Sequence, residues 1–231
     1  IKFVISKLAE RQMLPAIYFI FSRRGCDRAV RDIGPESLVN KEERRLISEK
    51  ISTYRRLNPD ALRDQFHTDA LLRGIAVHHA GVLPAWKELI EALFQEGLIK
   101  VVFATETLAA GINMPARTTV ISVLSKRTDN GHRPLMGSEF LQMAGRAGRR
   151  GIDSHGFVVT VQGRFEGVQE AGKLATTSAD PLISQFTPSY GMVLNLLQRY
   201  DLDKSRDLIE RSFGRYLASL DLAEEEDTLD Q

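Results

Sequence analysis

The sequence predicts an α/β fold in which a parallel sheet is flanked by helices, and three observations predict it. Five short apolar runs recur, at 16–21 (AIYFIF), 74–78 (GIAVH), 100–104 (KVVFA), 119–123 (TVISV) and 157–161 (FVVTV). Each is nearly continuous in its apolar character, which suits strands buried on both faces. Segments of helical periodicity alternate with them, the arrangement that builds a parallel sheet.

Taken in order, the first run lies between Pro15 and Ser22 and is rich in β-branched and aromatic residues. The segment from Lys41 to Arg73 is charged and helical by pattern, with a break at Asn58-Pro59, and reads as an elaboration on the sheet surface. The clearest helix runs from Pro84 to about Glu96. Proline suits its first position, Trp86, Leu89, Ile90, Leu93 and Phe94 form one apolar stripe, and Gly97 supplies a left-handed stop. A further helix is expected to start at Glu139 behind Ser138 as N-cap. After Gln162 the strand signals stop. Residues 190–200 and 204–222 read as amphipathic helices, the second with Ile209, Phe213, Tyr216, Leu217 and Leu220 on one face. These patterns divide the chain into a sheet domain over 1–178, a small helical appendage over 179–222 and a solvated acidic tail over 223–231.

Composition bounds the function. With 231 residues, 43% of them hydrophobic, and a net charge of +1, the chain is an ordinary globular protein. Proteins that coat nucleic acid without specificity are far more basic, so any polyanion contact must be local. The single cysteine, Cys26, excludes an internal disulfide and suits a reducing compartment. It reads as a packed helical thiol. No apolar stretch approaches a membrane span. The chain begins at Ile1 without an initiator methionine, so it is expected to be part of a longer protein.

Two stretches carry chemistry. In QMAGRAGRRG, Gln142, Arg146 and Arg149 stand at i, i+4 and i+7, so on a continuous helix they share one outward stripe while Phe140, Met143, Ala144 and Ala147 face the sheet. Gly148 allows an earlier end to that helix, with Arg149 then set by a turn. A guanidinium is a rigid, always charged fork that matches phosphate oxygens. The small residues around these arginines let backbone and ligand approach closely. In FATETLAAGINMP, Thr105 and Glu106 lie just past the end of an expected strand, the edge at which open α/β sheets bind ligands. Gly111 and Asn113 follow in the next loop, where a short amide and bare backbone can reach a ribose or phosphate.

The pair resembles motifs V and VI of superfamily-two helicases, in the superkiller-like DExH group of RNA helicases. The likeness covers nearly the whole chain. FSRRGCD at 21–27 resembles motif IV, GIAVHHAG at 74–81 and the helix at Pro84 match the next block, and SQFTPSYGMVLNLL at 184–197 is similar to the cyanobacterial and chloroplast branch. The resemblance implies a RecA-like sheet domain followed by the start of a winged-helix region. It implies that Arg146 and Arg149 are arginine fingers on the γ-phosphate of ATP and that Gln142 contacts that phosphate or orients the attacking water. Gly111 and Asn113 would line the nucleotide. Ser22, Arg23, His79 and Thr105 would hold the backbone of single-stranded RNA, with Glu106 left open between the two sites.

Asn130-Gly131 is a hairpin signal flanked by Lys126, Arg127 and Arg133. The family places a strand-separating hairpin there, which would comprise Asp129, Asn130, Gly131 and His132; an ordinary charged loop is the alternative. His78 and His79 are adjacent, so in a strand they point to opposite faces and do not form a metal pair.

No GxxxxGK[ST] phosphate loop and no DExH occurs in the 231 residues. Those residues hold the β- and γ-phosphates and Mg2+ in such motors. The chain is therefore expected to act as a second motor lobe, completed by a first lobe upstream of Ile1 and inactive alone. Its expected partners are single-stranded RNA, or an RNA duplex with an overhang, and that upstream lobe. Nuclease or ribosomal partners remain open, and no membrane is implied. The expected compartment is bacterial cytoplasm, with plastid stroma as the alternative. Rival readings are a DNA repair helicase lobe and a non-catalytic adaptor on a degenerate helicase fold.

Overall fold

The structure, a computed structural model, describes residues 1–58, 65–109, 114–128, 131–163, 166–182, 184 and 186–220. The chain divides into two compact units, Ile1–Ala179 and Asp180–Gln231.

The first unit is built on a five-stranded parallel sheet of order β2-β3-β1-β4-β7, formed by β1 (Ala16–Phe19), β2 (Ile75–His78), β3 (Val101–Ala104), β4 (Thr118–Ile121) and β7 (Phe157–Thr160). Every pairing is parallel, with Ile17 opposite Val102 on one side and Thr119 on the other. All residues of the first four strands are buried, which is why their sequences run apolar without alternation. The edge strand β7 is only partly covered. Observed strands differ from the apolar runs by one or two residues at their ends. The run from Ala16, for example, leaves the sheet after Phe19 because the chain turns into the cap of the next helix at Ser22.

Helices α1 (Lys2–Glu10), α2 (Arg23–Ile33), α3 (Lys41–Leu57), α4 (Gln65–Leu71), α5 (Pro84–Gln95), α6 (Gly137–Ala144) and α7 (Val168–Thr176) complete the unit; α1 and α7 lie outside the expectations above. The α5 stripe is buried as its periodicity implies, and Gly97 ends it at φ +75°. Helix α3 opens with a reciprocal cap: Glu43 N–H donates to Asn40 Oδ1 and Asn40 N–H to Glu43 Oε2, both at 2.9 Å. It buries Ile47 and Ile51, and the Tyr54 hydroxyl donates to Glu88 on α5 at 2.6 Å. Cys26 on α2 is fully buried, and burial pushes its thiol up to about 12. A two-stranded antiparallel hairpin, β5 (Ser125–Thr128) with β6 (Gly131–Pro134), projects between β4 and α6.

The second unit holds α8 (Tyr190–Leu197) and α9 (Leu202–Glu210), capped by Ser189 and Asp201. The single helix expected over 204–222 is broken. It pauses after Glu210 and residues 213–220 are helical again, because the Ser212 hydroxyl accepts from Arg215 N–H at 3.2 Å and starts a new helix. Among the described residues of this unit only Ser205 is buried, and Phe213, Tyr216 and Leu220 are exposed. The tail over 223–231 lies outside the described residues.

Candidate nucleotide and nucleic-acid site

Strand β1 has β3 on one side and β4 on the other, so the direction of the connections reverses beside it. Open α/β sheets bind ligands beyond the carboxyl ends of the strands at such a point. Ser22 and Arg23 follow β1, Thr105 and Glu106 follow β3, and His79 follows β2. The topology thus brings Ser22, Arg23, Thr105, Glu106 and His79 to the carboxyl edge of three adjacent strands.

Their side chains are not equivalent. Ser22 is exposed at the N-cap of α2, where its Oγ accepts from Gly25 N–H at 3.0 Å and its own hydroxyl hydrogen stays available. Arg23 is exposed, and its stem runs beside Gly81. Thr105 is half-buried, its Oγ1 2.9 Å from that of Thr107.

His79 departs from expectation. Its residue is only 5% exposed, its Nδ1 accepts from Gly81 N–H at 3.0 Å, and its Nε2 lies 3.4 Å from Asp27 on α2. Both ring nitrogens are engaged below the surface, and the ring braces the loop at Gly81. His78 points the other way, to Glu91 on α5 at 3.1 Å, as alternation in a strand requires. Burial lowers its pKa despite that carboxylate. Glu106 opens a 3-10 turn, Glu106–Ala109, and its carboxylate pairs with Lys126 of the hairpin.

The arginine-rich stretch also differs from a continuous helix. Helix α6 starts at Gly137, with Met136 at the N-cap position in place of Ser138, and ends at Ala144. Phe140 and Met143 are buried, and Gln142 faces solvent. Beyond Gly145 the chain forms a short parallel bridge to the residues preceding β4: Ala116 N–H donates to the Arg146 carbonyl at 2.9 Å and Gly148 N–H to the Ala116 carbonyl at 2.7 Å. Gly148 takes φ +89°, and Gly156 passes so close that a Cβ there would lie 2.6 Å from the Ala147 carbonyl carbon. The common helical stripe of Gln142, Arg146 and Arg149 is therefore replaced by one helical residue and two loop residues.

Each arginine is held by a distinct acceptor. Arg146 donates through Nε, at 3.1 Å, and Nη2 to the Ala109 carbonyl at the end of the 3-10 turn. Gly111 and Asn113, next along the chain, lie outside the described residues. Arg149 donates through Nε (2.8 Å) and Nη2 (2.9 Å) to the two oxygens of Asp153, whose Oδ2 also accepts from Arg149 N–H at 3.0 Å. The hydrogen bonds from Arg149 hold the Asp153 carboxyl down at about 2. Sequence reasoning missed Asp153, although an acid four residues beyond an arginine was a visible signal.

The hairpin exists, with a register one residue from expectation. Thr128 pairs with Gly131, and Asp129 and Asn130 lie outside the described residues. Gly131 has φ +108°, and His132, opposite Arg127, is exposed. Its base is tied down by a cluster of charges. Lys126 donates to Glu139 at 2.8 Å, pairs with Glu106 and lies 5.3 Å from the centre of the Phe21 ring. Arg133 reaches both Glu139 oxygens at 2.9 and 2.7 Å, and Glu139 also accepts from Met136 N–H at 2.9 Å. Arg133 foremost, then Lys126, hold the Glu139 carboxyl at about 2.

A five-stranded parallel sheet flanked by helices, with two arginines in one loop and polar side chains along its carboxyl edge, is the form of a RecA-like α/β domain. Residues 40–151 match the helicase conserved C-terminal domain. The chain is 51% identical over 231 residues to the chloroplastic DExH-box ATP-dependent RNA helicase DExH15 of Arabidopsis thaliana, covering 92% of this chain and 20% of that protein. It is 46% identical over 221 residues to the probable helicase HelY of Mycobacterium tuberculosis, covering 93% and 24%. It is 38% identical over 231 residues to human superkiller complex protein 2, covering 98% and 18%. The chain thus spans about a fifth to a quarter of the length of these relatives. It belongs to the superfamily-two, superkiller-like DExH helicases as their RecA-like C-terminal lobe.

Proposed function

We propose that the chain is the second motor lobe of an ATP-dependent RNA helicase that unwinds or remodels RNA in processing or decay, moving 3′ to 5′. The observation that carries the reading is the pair Arg146 and Arg149, fixed in one loop by the Ala109 carbonyl and the Asp153 carboxylate. Guanidiniums placed this way meet the charge that develops on a transferring phosphoryl group. Gln142, exposed two residues before the end of α6, contacts the phosphate or orients the water, and Gly111 with Asn113 line the nucleotide. The donors on this lobe suit phosphate oxygens, whereas Mg2+ and most of the ATP belong to the phosphate loop and DExH of the first lobe. Closure of the two lobes over a single strand puts its backbone against Ser22, Arg23 and Thr105. The lobe comprises residues 1–178, with 179–222 opening a winged-helix region. The compartment is bacterial cytoplasm or, by likeness to the chloroplast relative, plastid stroma.

RNA is preferred over DNA because two of the similar proteins are named RNA helicases. Unwinding of matched RNA and DNA duplexes with the same overhang tests that choice. In the full-length protein, Arg149→Ala should lower RNA-stimulated ATP turnover by roughly 10³-fold or more, with little effect on RNA affinity. Loss of RNA binding with normal turnover would overturn the assignment. The isolated 231-residue chain should show no ATPase activity.

A further inference from the structure

We infer that Asp153 is the positioning residue for Arg149: it grips the Nε/Nη2 edge of the guanidinium so that the adjoining Nη1/Nη2 edge is presented to phosphate. The inference rests on the motor-lobe reading above and adds to it the residue that makes an arginine in a loop behave as a fixed group.

The geometry is closed on three sides. Arg149 Nε and Nη2 each meet one carboxylate oxygen, which is the fork-to-fork arrangement of a bidentate pair. The Arg149 N–H binds the same carboxylate, and the N–H groups of Ile152 and Asp153 both donate to the Arg149 carbonyl at 3.0 Å. Residues 149–153 are therefore one tight turn wrapped around their own ion pair. The Asp153 side chain is 3% exposed, so it cannot follow the arginine into solvent, while Arg149 keeps 24% exposure. A second cation, Arg117, adds its attraction to the carboxylate and rests 5.9 Å from the centre of the Phe157 ring.

A guanidinium has five N–H donors. The carboxylate takes one on Nε and one on Nη2. One donor on Nη1 and the second on Nη2 then form the adjoining end-on edge of the fork, and the other Nη1 donor points toward the Cδ side. An unrestrained arginine loses rotamer freedom when it is immobilised. Here that ordering is already done in the folded lobe, so the cost does not fall on the transition state. The same contact read as a parking site, which must break before Arg149 can act, makes the opposite prediction for its removal.

The test uses the full-length protein, with single-stranded RNA as activator and ATP as substrate. Asp153→Asn should lower kcat about 10- to 100-fold, the scale of a small misplacement of a reacting group, while KM for ATP and RNA affinity stay within about threefold. Asp153→Glu should recover part of the loss. In an Arg149→Ala background, Asp153→Asn should change nothing further. A kcat that is unchanged or raised by Asp153→Asn overturns the inference, as does a loss that multiplies with that of Arg149→Ala. If Asp153→Asn fails to fold, Asp153→Glu carries the test through the same split between kcat and KM. Arg149→Ala with normal turnover would overturn the motor-lobe assignment, and this inference with it. Arg149→Ala inactive beside a normal Asp153→Asn would overturn this inference alone.

Discussion

The two ends of α6 use the same chemical device at different depths. At the N-terminal end Glu139 takes the fork of Arg133, with side-chain exposures of 18% and 39%. Past the C-terminal end Asp153 takes the fork of Arg149, and the carboxylate is closed off from water. The two pairs lie between an exposed pair, worth up to about 1 kcal/mol, and a buried one, where removing a partner costs roughly 3 to 5, with the inner pair nearer the buried limit. The outer pair also shares its carboxylate with Lys126, which reaches across to Glu106, so it links separate elements. The inner pair links five consecutive residues. One end of the helix is thus built to tie the hairpin to the sheet, and the other to hold a single side chain still.

If the two ends serve separate steps, they can be broken separately. Deleting Asp129 to His132 in the full-length protein should abolish duplex unwinding and leave ATPase stimulated by single-stranded RNA near its normal rate. Equal loss of both activities would merge the two ends into one function. A smaller effect is expected at the hairpin base. Lys126→Met removes the cation shared by Glu106 and Glu139, and should lower base pairs unwound per ATP by about tenfold while ATPase falls less than about threefold. The magnitude is that of a hydrogen bond to a charged group, about 1.5 kcal/mol. Parallel loss of unwinding and ATPase would show that this cluster does not couple the hairpin to the motor.

The central sheet was legible because β1 to β4 are buried on both faces, which leaves a continuous apolar signature in the sequence. The α5 stripe was legible for the same local reason. What failed was non-local. The helix carrying Gln142 stops because Ala116, far earlier in the chain, takes the backbone of residues 146–148 into a bridge, and local spacing carries no sign of that. His79 lies at the carboxyl end of β2, but local sequence carries no sign that Asp27 on α2 meets its Nε2. Ser138 reads as a better cap than Met136, yet the start of α6 is set by packing: a Cβ on Gly137 would lie 2.6 Å from Thr177 Cγ2. The types of residue at the site were readable, and their partners were not.

The smallest expected effect is on stability against pH, and it separates the two carboxylates by burial. Both Asp153 and Glu139 are held at about 2, below their unfolded values near 4. A carboxyl depressed in the folded state stabilises the protein above its unfolded pKa, and that contribution is lost as pH falls through the folded pKa. For Asp153 the shift corresponds to about 2 kcal/mol, present above roughly pH 4 and gone near pH 2. Glu139 shifts in the same direction, but its partner Arg133 is more open to water, with 39% of its side chain exposed against 24% for Arg149, so that pair is screened more strongly. Denaturant unfolding followed from pH 5 to pH 2 should therefore lose more of its pH dependence in Asp153→Asn than in Glu139→Gln. Equal flattening by the two substitutions would mean that the outer pair is as well shielded as the inner one, and the contrast between the two ends of α6 would not hold.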